Sequence, residues 1–395
     1  MRRVLIVTQS SLCTMLLVGA ALFIRTFVNL SASDVGFNPY NVLTARASLQ
    51  GPSYQDAAQV ALLYQRTVEE LESLPGVEAA AVTNNLPVDR GLNLVLTLVA
   101  DIAIEPAAID WRYVTPDYLR VLDIPLVSGR SFSSADTRNG TPVAMVNEAF
   151  VRQFGAAREV IGTHLQLLEY RPELADAPRQ IVGVIGDVRT RGVSQTRPTM
   201  FVPVAQVPSD LLGVAHSYFQ VNWALRTQDG VRGLNLAIDD ILRRADPQFP
   251  LTAFRTMDEV ISGQLTGPSF QALLLTLFAV GALVLAATGL YGLVSHMVSQ
   301  QTRDIGIRLA LGASSQQVVA SFSRQAIWLA GARGLTGLPG AALLTRLLRQ
   351  FLFAIEPLDP VAMVAVVLGL VCFAATWIPA RRATRIDPMV ALRAE

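Results

Sequence analysis

The sequence predicts a membrane protein with four transmembrane helices and a large α+β domain inserted between helices 1 and 2. Of the 395 residues, 51% are hydrophobic and only 16% are charged, a composition too apolar for a soluble enzyme of this size. Four stretches approach the ~20 apolar residues that a helix needs to cross a bilayer. A long region of mixed pattern separates the first stretch from the second.

The four apolar stretches define the predicted spans. Residues 1–30 contain the first, and the others cover about 270–294, 326–348 and 361–378. A cleaved signal peptide is the alternative for the first stretch, because two arginines precede an apolar run that contains small residues. Both interpretations export the domain that follows, residues 31–269.

The positions of the arginines predict the orientation in the membrane. Arginines precede the first span, lie between the second and third, and follow the fourth. Such residues favour the cytoplasmic side, so both termini are expected in the cytoplasm. Arg333 interrupts the third span, where a charge is costly. It is therefore a candidate intramembrane functional charge, with a side chain that snorkels to the interface as the alternative.

The exported region has a repeated local order. Residues 41–83 and 218–255 each show a strand pattern, an amphipathic helix pattern and a second strand pattern. Two such β-α-β units commonly pack with their helices on one face of a sheet. The residues between them, 86–209, are predicted to form an inserted α+β subdomain. Its candidate elements are strands at 111–115, 143–147, 180–188 and 200–204 and a helix at 148–154.

No pattern in the sequence points to catalysis or to a bound metal or cofactor. His164 and His216 lack ligand-spaced partners, and neither a G-x-S-x-G nor an H-E-x-x-H motif occurs. Cys13 and Cys372 lie in apolar runs, so the exported region has no thiol for a disulfide. The absence of lysine excludes a P-loop lysine, and a net charge of +1 without a basic run argues against nucleic acid. We therefore predict a non-catalytic subunit.

A short charged segment, residues 302–312, follows the second span. Asp304 and Arg308 are four residues apart, as are Ile305 and Leu309 on a neighbouring face, which favours a helix. Gly312 provides a helix stop. An ordinary cytoplasmic loop helix, whose arginines only set topology, is the alternative to a functional role.

Several strings resemble the MacB/FtsX-type permeases of ABC transporters. TRDIGIRLALGAS at 302–314 and PARRATRIDPMVALRAE at 379–395 are similar to signature strings of that family. Further similar strings occur in the exported region at 74–87, 143–154 and 182–192. The chain resembles one module, the second, of the long duplicated bacterial permeases. The order of one span, a large exported domain and three further spans is similar as well.

This resemblance implies a multi-pass protein of the bacterial inner membrane. Residues 31–269 would be a MacB-like periplasmic core domain, and residues 270–395 an FtsX-like permease domain. Hydrolysis of ATP by a separate nucleotide-binding ATPase subunit would drive a conformational change of the periplasmic domain, a process called mechanotransmission, for efflux or export. ATP would be used only through that partner. A second permease copy or a homologous module would complete a dimer in the lipid membrane.

The resemblance also implies that the 302–312 helix is a coupling helix that docks on the ATPase. Its ATPase-coupling residues would be Arg303, Asp304, Ile305, Gly306, Arg308, Leu309, Leu311 and Gly312. Two other functions stay open. One is an FtsX-like regulator or scaffold that controls a periplasmic partner, such as an adaptor or a hydrolase. The other is an orphan permease without transport activity.

Overall fold

The computed structural model describes residues 20–300, with gaps at 100–101, 156–159, 169–175, 191–195, 229–232 and 248–250. Contacts divide the chain into two units. One unit is Ser33–Leu265, and the described part of the other is residues 20–32 and 266–300. The predicted spans at 326–348 and 361–378 and the predicted coupling helix at 302–312 lie outside the described residues.

Two apolar helices belong wholly or partly to the second of these units. Helix α1 is Ala20–Ser31, and α7 is Met257–Gln300. Within the described ranges, Met257–Gly289 is the stretch that is long and apolar enough to cross a bilayer. Phe270 and Leu277 on α7 are 59% and 60% exposed, as lipid-facing side chains would be. The prediction of four spans stays a prediction.

One part of the Ser33–Leu265 unit is a four-stranded antiparallel sheet, which we call the split sheet. Its neighbouring strands are all antiparallel, in the order β11-β1-β10-β2. Each β-α-β unit therefore has a strand of the other unit inserted between its own two strands, the split β-α-β arrangement. Its elements are β1 (Val42–Ala47), α2 (Ala57–Glu72), β2 (Val77–Thr83), β10 (Val221–Thr227), α6 (Asn235–Ala245) and β11 (Leu251–Thr256).

Helix α2 shows why these segments fold as they do. Asp56 caps its first turn by accepting a hydrogen bond from the Ala58 amide at 2.9 Å. Tyr64, Val68 and Leu71 follow one another at helical spacing and are buried. Helices α2 and α6 pack against each other. The apolar stripe seen in the sequence is therefore the core-facing side of the helix.

The second part of this unit is a closed set of six strands, which we call the strand ring. Pairings run from β3 to β4, β9, β6, β8 and β7 and then return to β3. Strand β5 pairs with β8 outside this circuit. The strands are β3 (Leu92–Val99), β4 (Ile102–Val114), β5 (Leu126–Gly129), β6 (Val143–Asn147), β7 (His164–Leu167), β8 (Arg179–Ile185) and β9 (Thr199–Pro203).

The strand candidates of the inserted region coincide with β4, β6, β8 and β9, and the helix candidate with α4 (Glu148–Phe154). Three other strands, β3, β5 and β7, were not predicted. Two helices were also not predicted, α3 (Tyr118–Leu122) and α5 (Ser209–Tyr218). Tyr218 was expected to begin a strand, but it ends α5, and β10 begins at Val221. The part of the alternating pattern that forms a strand therefore starts at Val221.

Candidate functional site

The split sheet and the strand ring pair with each other at a single position among the described strands. Thr83 at the end of β2 pairs with Val114 at the end of β4. Next to this pair, the Thr115 amide donates to the Val82 carbonyl at 3.0 Å, and the Val82 amide donates to Thr115 Oγ1 at 2.9 Å. The chain then crosses from sheet to ring through residues 84–91, which we call the joint loop.

Arg112 on β4 holds the joint loop from the ring side. The residue is fully buried, and its guanidinium donates to three loop carbonyls, those of Asn85 (3.2 Å), Leu86 (2.8 Å) and Asp89 (2.8 Å). A buried guanidinium needs hydrogen-bond partners for its donors. The loop carbonyls provide them for both Nη atoms, so the conformation of the loop is tied to the position of β4.

Val88 gives the joint loop an unusual backbone conformation. Its φ is +66°, and its side chain is buried. The left-handed region costs an L-residue about 1–2 kcal/mol, and β-branched residues rarely adopt it. The Val88 amide donates to the Arg189 carbonyl at 2.7 Å. Surrounding contacts therefore keep the loop in a conformation that its own sequence disfavours.

The first two turns of α7, residues 257–264, are fixed to the split sheet, and we call them the α7 root. Thr256 and Glu259 form a capping box, in which the Glu259 amide donates to Thr256 Oγ1 (3.2 Å) and the Thr256 amide donates to Glu259 Oε2 (3.1 Å). Met257 and Val260 are buried. Because β11 ends at Thr256, the helix begins directly at the sheet.

Asp89 connects the joint loop to the α7 root and to β1. Its carboxylate accepts from Gln264 Nε2 at 3.0 Å and from Arg46 Nη2 at 2.8 Å. Burial raises the pKa of Asp89 above its usual value, and the charges of Arg46 and Arg112 oppose that rise. Arg46 also donates through Nε to Asn222 on β10 at 2.9 Å. This carboxylate therefore joins three elements at one point.

Every ATPase-coupling residue named from the sequence lies outside the described residues. This holds for the segment 302–312, from Arg303 to Gly312, and for Arg333, so their roles stay predictions. The joint loop was not singled out as a site. Its string NNLPVDRG signals a turn, but the partners that fix it come from Arg112, Arg189 and Gln264, far away in the chain. In the part of the chain that the structure describes, no group of three or more metal-ligating side chains occurs.

Comparison with known families decides what kind of protein carries this domain. The sequence model of a family described as the MacB-like periplasmic core domain matches residues 8–237, more than half of the chain. A second, described as the FtsX-like permease C-terminal domain, matches residues 276–388. The chain belongs to the MacB/FtsX-type permease family. The match to the MacB-like periplasmic core domain therefore includes most of the Ser33–Leu265 unit.

Similar proteins of this family are known from several bacteria. The macrolide export ATP-binding/permease protein MacB 2 of Aeromonas hydrophila is 25% identical over 284 residues, which cover 71% of this chain and 42% of that protein. The pyoverdine export ATP-binding/permease protein PvdT of Pseudomonas savastanoi is 28% identical over 286 residues, covering 70% and 41%. The chain thus spans about two fifths of the length of these curated relatives.

A solved structure also resembles this chain. The periplasmic region of MacB from Actinobacillus actinomycetemcomitans matches with a TM-score of 0.39 and 13% sequence identity. The match covers 57% of this chain and 92% of that one.

Proposed function

We propose that this chain is the permease subunit of an ABC transporter, and that it couples ATP hydrolysis by a separate subunit to a conformational change of its periplasmic domain for export. Helix α7 is the observation that supports this most strongly. The described part of this helix, Met257–Gln300, begins at the split sheet and contains the apolar stretch of membrane-spanning length, and the predicted coupling segment follows it in the sequence. The export proteins among its relatives support the same proposal.

In this proposal, α7 carries movement from the membrane to the periplasmic domain. At ~1.5 Å per residue, a helix of 44 residues is roughly 66 Å long. Pro268 lies within it and removes one main-chain hydrogen bond, so bending is easiest just beyond the α7 root. Displacement of the root acts on β11 through the capping box and on the joint loop through Gln264 and Asp89. Arg112 then passes it to β4.

Partner subunits would complete the transporter. A nucleotide-binding ATPase subunit would bind residues 302–312, so that this chain uses ATP without binding it. A second permease copy or a homologous module would complete the assembly in the inner membrane. Both termini would be cytoplasmic, and residues 302–312 would also face the cytoplasm.

The proposal is tested by co-expression with a nucleotide-binding subunit. Arg308→Glu combined with Ile305→Asp reverses a charge and places a carboxylate on the apolar face of the predicted coupling helix. We expect loss of co-purification and loss of ATPase stimulation. A matched control is Arg243→Glu with Leu236→Asp on α6, where both side chains are exposed in the periplasmic domain. That control should keep both properties.

Unchanged binding and unchanged ATPase stimulation in the Arg308→Glu, Ile305→Asp variant would contradict the coupling role. Transport in sealed vesicles then separates export from regulation. Movement of a cargo that depends on ATP supports the exporter. ATPase stimulation together with control of a periplasmic partner, but without cargo movement, supports the regulator.

A further inference from the structure

A second segment, residues 33–38, is linked to the joint loop through Arg189. Residues 33–38 follow α1, which ends at Ser31. They belong to the same compact unit as the joint loop. Their contacts involve residues 187–189, which follow β8 in the strand ring. The contacts of the α7 root with Asp89 are separate from these.

Arg189 links this segment to the joint loop through its main chain. Its amide donates to the Val35 carbonyl at 3.1 Å, and its carbonyl accepts from the Val88 amide at 2.7 Å. Its side-chain Nε also donates to the Asp34 carbonyl at 3.3 Å. One residue therefore has segment 33–38 on one side and the strained residue of the joint loop on the other. A shift of Val35 changes the position of the group that holds Val88.

Gly36 makes this contact close. Its φ is +79°, and a Cβ at this position would lie 1.8 Å from the Asp187 carbonyl oxygen, far inside the distance that any side chain tolerates. The Gly36 amide donates to Asp34 Oδ1 at 2.8 Å, which fixes the turn. Both the conformation and the contact therefore require glycine. At Gly36, segment 33–38 therefore lies directly against the main chain at Asp187, without an intervening side chain.

We infer that residues 33–38 form a second strut, through which the chain leaving α1 holds the joint loop by way of Arg189, and that Gly36 is the positioning residue of this strut. The inference rests on the proposed function, because it assigns α1 a part in the same relay. The joint loop then responds to two inputs, one from the α7 root through Asp89 and one from α1 through Arg189. Its strained conformation at Val88 is maintained by the second.

Hydrogen exchange of the full chain, purified with its nucleotide-binding subunit, tests this inference. Gly36→Ala forces the segment away from Asp187. Without ATP, we expect the Val88 amide to exchange about tenfold faster, because its acceptor is displaced. With ATP, we expect the nucleotide-dependent change in exchange across residues 84–91 to fall by about half or more, while the ATPase rate is retained.

Two further variants make the result specific. Gly213→Ala on α5 is the matched control, since a Cβ there meets nothing within 4 Å, and it should behave as the unmodified chain. Arg189→Met keeps the main-chain bonds but removes the side-chain bonds to Asp34 and Thr196. It should also accelerate exchange of the Val88 amide, but by a smaller factor than Gly36→Ala does.

Unchanged Val88 exchange in Gly36→Ala would overturn the strut. The same conclusion follows if Gly36→Ala and Gly213→Ala accelerate exchange equally. Failure of the proposed function would look different, because ATP would then leave exchange in the unmodified complex unchanged. The measurement without ATP would still decide whether the strut exists.

Discussion

The split sheet and the strand ring are both built from short strands, but they differ in the charged side chains that they bury. The split sheet has two helices on one face and a core of apolar and aromatic side chains, in which Tyr64 and Trp223 meet edge to face at 5.6 Å. The ring contains two fully or almost fully buried arginines, Arg112 and Arg179, that donate to main-chain carbonyls. Where chain crossings leave carbonyls without sheet partners, charged side chains satisfy them.

The largest effect is expected when one of these buried arginines is removed. Arg179 donates to both carboxylate oxygens of Asp176, at 2.7 and 2.8 Å, and to the Gln206 carbonyl at 2.8 Å. Arg179→Met would leave a buried carboxylate without its partner, so we expect a loss of about 3–5 kcal/mol in unfolding free energy. Guanidinium unfolding followed by tryptophan fluorescence measures it in a chain with Trp328 and Trp377 replaced by phenylalanine, because Trp111 then reports the ring and Trp223 the split sheet.

An exposed ion pair in the split sheet is the matched control for this substitution. Arg243 and Asp239 lie four residues apart on α6, and both are partly exposed. Arg243→Met should cost less than about 0.5 kcal/mol. Equal costs for Arg179→Met and Arg243→Met would show that the ring does not depend on its buried charges.

Acid should first weaken the contacts around His216, which lie between helix α2 of the split sheet and strand β4 of the ring. His216 on α5 is buried, with Nε2 2.8 Å from the Tyr113 hydroxyl and 3.1 Å from that of Tyr64. Burial lowers the pKa of His216 to about 4, and the Tyr54 main chain opposes this only in part. The unfolded chain therefore binds a proton between about pH 6.5 and 4 that the folded chain does not. Stability should fall across this range by up to roughly 3 kcal/mol.

The ring has a carboxylate that responds at lower pH. Hydrogen bonds from Arg130 lower the pKa of Asp136, so its contribution is complete above the unfolded value of about 3.9 and is lost only below it. Unfolding midpoints at about pH 7 and pH 4.5 should thus differ for the unmodified chain, and His216→Gln should reduce the difference. An identical pH dependence in that variant would remove His216 as the cause.

The same contrast explains how much of the fold could be read from the sequence. The split sheet follows from local signals, since the stripe of α2 and the alternation of β10 lie within single segments. The ring depends on pairings between distant segments, including the parallel pairs β4–β9 and β6–β8. Strand β3, with its sequence LNLVLTLV, pairs on one side with β7 through residues some 70 positions away, and no local pattern specifies such a partner.

For the same reason, only part of the candidate site could be predicted from the sequence. The string at 302–314 resembles a signature of the family and can be read from consecutive residues. The joint loop instead becomes a site because Arg112, Arg189 and Gln264 contact it from three different parts of the chain. Nothing in the sequence around Val88 and Asp89 distinguishes them from other loop residues. The burial and charge interactions of Asp89 and the backbone conformation of Val88 arise only once the chain is folded.

The proposed relay through Asp89 and Gln264 would connect the movement of the two regions. Gln264→Leu removes the bond from the α7 root to the joint loop but keeps a helix-favouring residue, so its effect on stability should be small, within about 1 kcal/mol. Its effect on movement should be large, because the α7 root would then act on the split sheet without acting on the loop. Stability and coupling are therefore expected to separate in this variant.

A distance between the two regions tests the central claim most directly. Spin labels at Leu62 on α2 and Val127 on β5, both exposed, report on the split sheet and on the strand attached to the ring, once Cys13 and Cys372 are replaced by serine. In the complex with its ATPase subunit, we predict that ATP shifts this distance by about 2 Å or more, and that Gln264→Leu abolishes most of the shift while ATP is still hydrolysed. A distance that ignores ATP in the unmodified complex, or that shifts equally in Gln264→Leu, would contradict the account.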